Sequence, residues 1–168
     1  MKKVSILGAG AWGTAVACLL ADNGYQVTLW CHEPAVADAI NNTRINERYL
    51  PGVTLSPLIQ PTVDLQEVVA HAQWIFEAVP VKFLRSVLVQ AQPFYMQSQK
   101  WVIMSKGIEQ DTLMLPTQIL DDVFKADVHK AIFSGPSFAA DLAQKQITGV
   151  NKNTSRLPNN KDRILLVD

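Results

Sequence analysis

Apolar positions along the chain fall into two recurring patterns, short continuous runs and helical spacings, and they alternate. Val4-Ser5-Ile6-Leu7 is a short apolar run with β-branched residues, stopped by Gly8-Ala9-Gly10. From residue 11 to residue 23 the pattern becomes that of a small-residue helix (Ala15, Val16, Leu19, Leu20), closed by Gly24. Val27-Thr28-Leu29-Trp30 is a second buried strand, and Pro34 opens a helix that runs through Ile40. Strand, helix and strand in this order form a βαβ unit, which implies a parallel sheet with a right-handed crossover.

The alternation continues beyond a loop expected over residues 41–61. Residues 65–72 read as a short helix, 74–79 as a strand and 81–92 as a helix. Residues 101–104 read as a strand, 113–124 as a helix, 131–133 as a strand and 137–144 as the start of a helix. Near-continuous apolar strands are what a sheet covered on both faces requires. From residue 151 to residue 163 the only apolar side chains are Leu157 and Pro158, so that stretch reads as loop or disorder. The expected organisation is one α/β domain over residues 1–150, doubly wound around a mostly parallel sheet, followed by a divergent polar tail over 151–168.

Composition narrows the function classes. Lys and Arg number 15 against 15 Asp and Glu, hydrophobic residues make up 48% and charged residues 18%. That balance excludes a disordered chain. It also speaks against a duplex nucleic-acid partner, which needs a basic surplus. No apolar run reaches the roughly 20 residues of a membrane span, and the apolar run after Lys2-Lys3 is broken at once by glycine. A soluble, cytoplasmic protein is expected. Cys18 and Cys31 both sit in apolar segments and read as buried thiols, with no metal-ligand spacing.

Gly8-Ala9-Gly10-Ala11-Trp12-Gly13 matches G-x-G-x-x-G, and it follows a strand and opens a helix. In that context the pattern is a dinucleotide-binding turn of Rossmann type. Gly8 permits the tight turn, Gly10 lets the backbone approach a pyrophosphate, and Gly13 allows close helix–strand packing. The pyrophosphate would lie on the first amides of the following helix, where the dipole favours an anion. Trp12 stands apart from the core aromatics Trp74 and Trp101, because inside the loop it would shield the pyrophosphate and nicotinamide side. The acidic ribose reader expected at the end of the second strand is missing. Cys31 and His32 occupy that place, with Glu33 one step later. Without a carboxylate there, repulsion of a 2′-phosphate is removed, and His32 could donate to one. Use of both NAD and NADP follows as an expectation.

Four segments carry a resemblance. Gly8 through Ala15, Asn46-Glu47-Arg48-Tyr49-Leu50-Pro51-Gly52, Ser105-Lys106-Gly107-Ile108-Glu109 and Ser134-Gly135-Pro136-Ser137-Phe138-Ala139 occur in the order seen in bacterial-type NAD(P)-dependent glycerol-3-phosphate dehydrogenases. The sequence resembles that family from about residue 1 to about residue 149. The resemblance implies reduction of dihydroxyacetone phosphate to sn-glycerol 3-phosphate, a precursor in phospholipid synthesis and a link between carbohydrate and lipid metabolism. It implies cofactor contacts from Gly8, Gly10, Ala11, Trp12 and Gly13, from His32 at the adenosine end, and from Ala139. Lys106 would touch both cofactor and substrate, and Gly135 and Ser137 the substrate. Tyr49 reads first as packing and is kept as a cofactor neighbour. A homodimer is open for full-length members. The related β-hydroxyacid dehydrogenases share the glycine turn, but the segments at 105–109 and 134–139 disfavour them.

The family pattern has a glutamate where this chain has Asp141, and the likeness is expected to stop after Val150. The family's helical substrate domain, with its catalytic Lys-Asn pair, is not found in these residues, so no catalytic residue is assigned in this chain. Lys152-Asn153 has the right letters without the surrounding helix pattern. Two expectations follow. Either the chain is a truncated or fragmentary glycerol-3-phosphate dehydrogenase, or it is a non-catalytic dinucleotide-binding module.

Overall fold

The computed structural model describes residues 2–70, 72–135 and 138–143, and the backbone of 151–155. The chain begins with β1 (Lys3–Leu7), α1 (Ala11–Asp22), β2 (Gln26–Trp30) and α2 (Pro34–Thr43). A small antiparallel hairpin follows, β3 (Ile45–Asn46) and β4 (Leu50–Thr54), and then β5 (Ile59–Thr62). The second half alternates α3 (Leu65–Ala70), β6 (Trp74–Glu77), α4 (Val81–Ala91), β7 (Lys100–Ile103), α5 (Pro116–Phe124), β8 (His129–Ser134), α6 (Ala139–Ala143) and β9 (Asn151–Ser155).

The main sheet runs β5-β2-β1-β6-β7-β8-β9. The first six strands are parallel, and β9 pairs antiparallel with β8. Chain order reverses between β1 and β6, which opens a crevice at their carboxyl ends. This is the doubly wound architecture expected from the alternation. Side chains of single strands divide between the two faces. Val4 and Ile6 of β1, Phe76 of β6 and Val102 of β7 join the core under α1 and α2. Leu7, Ile75, Trp101 and Ile103 join the core under α3, α4 and α5.

The structure differs from the sequence expectation in three places. The region expected as a loop over 41–61 holds the β3–β4 hairpin and the sheet strand β5. Pro61 disguises β5, yet as the outermost parallel strand it needs ladder bonds on one side only, where Pro is tolerated. Ile59 and Pro61 are buried, and Arg44, in the left-handed region at φ 58°, ties the segment down through the carbonyls of Leu55, Ser56 and Ile59. Residues 151–155, expected as loop or disorder, form the edge strand β9. Backbone pairing with β8 needs no apolar side chains, and polar ones suit an edge. Cys31 is buried, but Cys18 is only half-buried.

Ile6 is fully buried in the central strand with the sheet continuing on both sides. Ile6→Ala is expected to lower stability by about 2–5 kcal/mol, seen as a lower urea midpoint at an unchanged slope.

Candidate functional site

The crevice at the β1–β6 reversal begins with the glycine turn. Gly8 has φ +112°, and a Cβ there would stand 2.8 Å from the carbonyl oxygen of Ala78, just past β6. At Gly13 a Cβ would stand 1.9 Å from the carbonyl oxygen of Gly8 and 3.3 Å from Cβ of Ala78. Both positions are glycine because the fold leaves no room. Gly10 is different, since a Cβ there would meet nothing within 4 Å. It is the N-cap of α1, and no side chain caps that helix. The turn therefore presents uncapped helix amides beside open space, a combination that fits an anion brought close to the backbone.

A buried network holds the turn from the other side. Asn46 of the hairpin is 1% exposed. Its side-chain amide donates to the Ala9 carbonyl at 2.9 Å and to the Thr14 hydroxyl at 2.8 Å, and its oxygen accepts from the Tyr49 amide at 3.3 Å. Thr14 in turn donates to the Ala9 carbonyl at 3.3 Å. Every polar atom of the Asn46 side chain is used, so the hairpin fixes the turn's shape.

From Ala11 and Trp12 a cavity of about 360 Å³ runs past Ala78, Val79 and Pro80 to Met104, Ser105 and Lys106. Phe133, Ser134, Gly135, Phe138 and Ala139 close its far side. Trp12 packs against Phe133, with ring centroids 6.0 Å apart. Lys106 is exposed and lies between two anchors. On one side Ser105 donates from its hydroxyl to Glu77 at 2.7 Å and from its amide at 3.4 Å. On the other, Glu109 receives the Arg85 guanidinium through Nε at 2.9 Å and Nη2 at 2.8 Å, and Arg85 also reaches Asp122 at 2.5 Å. Arg85 holds the Glu109 carboxyl below its usual range. Gly107, at φ +105°, makes the bend between the anchors.

Glu77 is completely buried at the end of β6. Burial pushes its carboxyl up to about 7, against the opposing pull of the Ser105 and Val79 donors. Burial also raises the Cys31 thiol to about 12, which leaves it unreactive.

The structure brings Ala11, Trp12, Lys106, Gly135 and Ala139 into one cavity, with Gly8, Gly10 and Gly13 forming its turn. His32 and Tyr49 do not line it. His32 is exposed beyond the end of β2, with its ring 5.8 Å from Trp30. Tyr49 is in the hairpin and donates its hydroxyl to Glu33 at 2.9 Å, and Arg48 pairs with the same carboxylate. Ser137 lies outside the described residues. Sequence reasoning missed Asn46, Thr14, Glu77 and Ser105 as parts of the site. Thr14, Asn46 and Ser105 stood inside the motifs named above, whereas Glu77 had a signal of its own, an acid in an otherwise apolar strand.

Comparison with known proteins agrees with this geometry. The family model described as NAD-dependent glycerol-3-phosphate dehydrogenase N-terminus matches residues 3–157, so the likeness continues past residue 149 into β9. A glycerol-3-phosphate dehydrogenase of the NAD(P)+ type from Bacillus velezensis is 40% identical over 159 residues, covering 94% of this chain and 46% of that protein. Its counterpart in Bacillus subtilis is 42% identical, with the same coverage. The crystal structure of glycerol-3-phosphate dehydrogenase from Coxiella burnetii superposes with a TM-score of 0.85 at 28% identity, over 90% of this chain and 46% of that one. The chain thus spans about half the length of the relatives it matches.

Gly13→Ala is expected to destabilise the fold by about 3 kcal/mol or more, because the clash is with backbone, while Gly10→Ala stays within about 0.5 kcal/mol of wild type. Thermal melts of the two variants check the contrast. Glu77 binds its proton more tightly folded than unfolded, so stability is fully present below its ordinary value of 4.5 and falls as pH rises to about 7. The fall is on the order of 3 kcal/mol, and urea titrations of wild type and Glu77→Gln should show it in the wild type alone.

Proposed function

The chain belongs to the NAD-dependent glycerol-3-phosphate dehydrogenase family, matching its N-terminal region, and from that premise we propose that it is the cofactor-binding part of an enzyme reducing dihydroxyacetone phosphate to sn-glycerol 3-phosphate. The observation that carries the reading is the uncapped start of α1 beside the open Gly10, at the mouth of a cavity that leads to Lys106. The reduced nicotinamide, when bound, supplies the hydride. The residues of this chain bind and orient. Gly10 and the first amides of α1, at Ala11 and Trp12, take the pyrophosphate, and Gly8 and Gly13 shape the turn that presents them. Trp12 and Ala139 wall the nicotinamide side. Lys106 sits where an ammonium can meet both the cofactor and a phosphorylated ketone, and Gly135 bounds the substrate end; a substrate contact from Ser137 rests on the sequence motif alone.

His32 and Tyr49 belong to the adenosine end. Glu33, the nearest carboxylate, is engaged by Arg48 and the Tyr49 hydroxyl, so it does not stand free to repel a 2′-phosphate. That supports use of both NADH and NADPH. The sn-glycerol 3-phosphate formed would feed phospholipid synthesis, and the setting would be the cytoplasm. Among the described residues no helix is long and apolar enough to cross a membrane.

A second reading, a dinucleotide-binding module without turnover of its own, has one observation in its favour. Among the described lining residues Lys106 is the single cationic group, and carbonyl reduction needs a proton donor together with stabilisation of the developing alkoxide. Loss of reduced-nicotinamide absorbance with dihydroxyacetone phosphate separates the two readings, since clear turnover by this chain excludes the module.

Fluorescence titration should show NADH and NADPH binding within about tenfold of each other, and detectable NADH binding with no NADPH binding would overturn dual use. Gly10→Ala should weaken both by about tenfold or more, with the melting temperature unchanged.

A further inference from the structure

Glu77 lies beneath the pocket without a cationic partner. On β1 and β7 its neighbours in register are Leu7 and Ile103. The cations on the adjoining segments are Lys3 of β1 and Lys100 of β7, both at the opposite end of the strands from Glu77, Lys82 and Arg85 of α4, and Lys106 of the loop. Among the described residues none forms an ion pair with it, and Arg85 is engaged by Glu109 and Asp122. Only burial and hydrogen-bond donors act on the carboxyl.

Its two oxygens are used differently. Oε1 accepts the Val79 amide at 2.6 Å, and Oε2 accepts the Ser105 hydroxyl at 2.7 Å and the Ser105 amide at a longer 3.4 Å. A backbone amide can only donate, so Oε1 must accept whether or not Glu77 is ionised. The amide contact on Oε1 is short and the one on Oε2 is long, whereas the Ser105 hydroxyl on Oε2 is close and can reverse, so a proton on Glu77 belongs on Oε2, facing the Ser105 hydroxyl. A serine hydroxyl both donates and accepts. When Glu77 carries the proton, its O–H donates to the Ser105 oxygen, and Ser105 turns its own hydrogen into the cavity that it lines. When Glu77 is ionised, it draws the Ser105 hydrogen back and leaves a negative charge under the pocket.

We propose that Glu77 is a positioning residue of the cofactor pocket, whose proton sets the direction of the Ser105 hydroxyl and the charge beneath an anionic dinucleotide. The proposal rests on the cofactor-binding reading above. The acid form favours the ligand twice, by freeing a donor next to Lys106 and by removing like charge. Both forms are populated near neutrality, because burial brings the carboxyl to about 7. Affinity for the dinucleotide therefore falls as pH rises through that value.

NADH titrations of the whole chain by fluorescence, from about pH 6 to about pH 8, test this. Wild type should lose affinity several-fold across the window. Glu77→Gln imitates the acid form, with its amide oxygen on Val79 and its NH₂ on Ser105, and should keep the wild-type low-pH affinity throughout. His32 is present in both proteins, so the difference between the two profiles belongs to Glu77. Ser105→Ala removes a donor to the ionised form, and should lower affinity at low pH and move the midpoint of the profile upward. An unchanged slope in Glu77→Gln, loss of its binding at every pH with a native circular-dichroism spectrum, or an unmoved midpoint in Ser105→Ala would each overturn the proposal while leaving the cofactor reading intact. If Glu77→Gln does not fold, the Ser105→Ala midpoint decides alone. Absence of NADH binding by the wild type at every pH overturns the cofactor reading, and this proposal with it.

Discussion

The closest approach in the site is between Gly13 and the carbonyl of Gly8, where even one added carbon would stand 1.9 Å from oxygen. That approach draws the first turn of α1 onto the end of β1 and onto Ala78 beyond β6, so three segments meet where the strand order reverses. It leaves the α1 amides uncapped by any side chain. It also places the Ala9 carbonyl and the Thr14 hydroxyl where only an outside donor can complete them, and Asn46 arrives from the hairpin to do so. The hairpin is thus a brace for the glycine turn, although it contributes no strand to the main sheet. Ligand geometry at the turn is set before any ligand arrives, which is what preorganisation requires.

Charge within the site is arranged locally, as a chain of zero net charge requires. Three acids lie on the segments that carry the candidate site residues, two of them paired with arginine and one buried. Glu109 is held in a bidentate pair with Arg85, which anchors the Lys106 loop to α4. Glu33 is engaged by Arg48 and the Tyr49 hydroxyl at the end of the β2 crossover. Glu77 has no cationic partner among the described residues, and burial favours its protonated form instead. Lys106 stays exposed and outside the described ion pairs among these acids. Among the described lining residues an anion entering the cavity meets helix amides and one ammonium, with Glu33 and Glu109 paired and Glu77 partly protonated near neutrality.

The parts of this arrangement legible in the sequence are those where a local rule leaves its mark on residue type. Gly8, Gly10 and Gly13 announce a turn and its context, and the buried runs around Ile6, Leu29, Ile75 and Trp101 announce a sheet covered on both faces. Elements that depend on long-range pairing left no such mark. β5 contains Pro61, and β9 is built from Asn, Lys, Thr and Ser, yet both are strands because the neighbouring edge supplies their backbone partners. Asn46 reads as one more polar residue of a loop, since its worth comes from Ala9 and Thr14, more than thirty positions away. Glu77 reads as an oddity within an apolar strand, and only the fold puts Ser105 against it.

The glycine turn also shows why motif identity and function are separate statements. Its three glycines satisfy one pattern, but two of them answer to packing and one to open space. A chain that kept Gly8 and Gly13 while filling position 10 would preserve the turn, the helix and the sheet, and would lose the open space proposed for a pyrophosphate. The same division holds in the segment from Ser105 to Glu109. Ser105, Gly107 and Glu109 fix the path of the loop through Glu77, a left-handed bend and Arg85, whereas Lys106 alone faces the cavity unanchored. Folding constraints therefore account for most of each motif. What is left over, the open space where a Cβ of Gly10 would stand and one exposed ammonium between two fixed anchors, is not accounted for by packing among the described residues and is where the argument for a ligand begins.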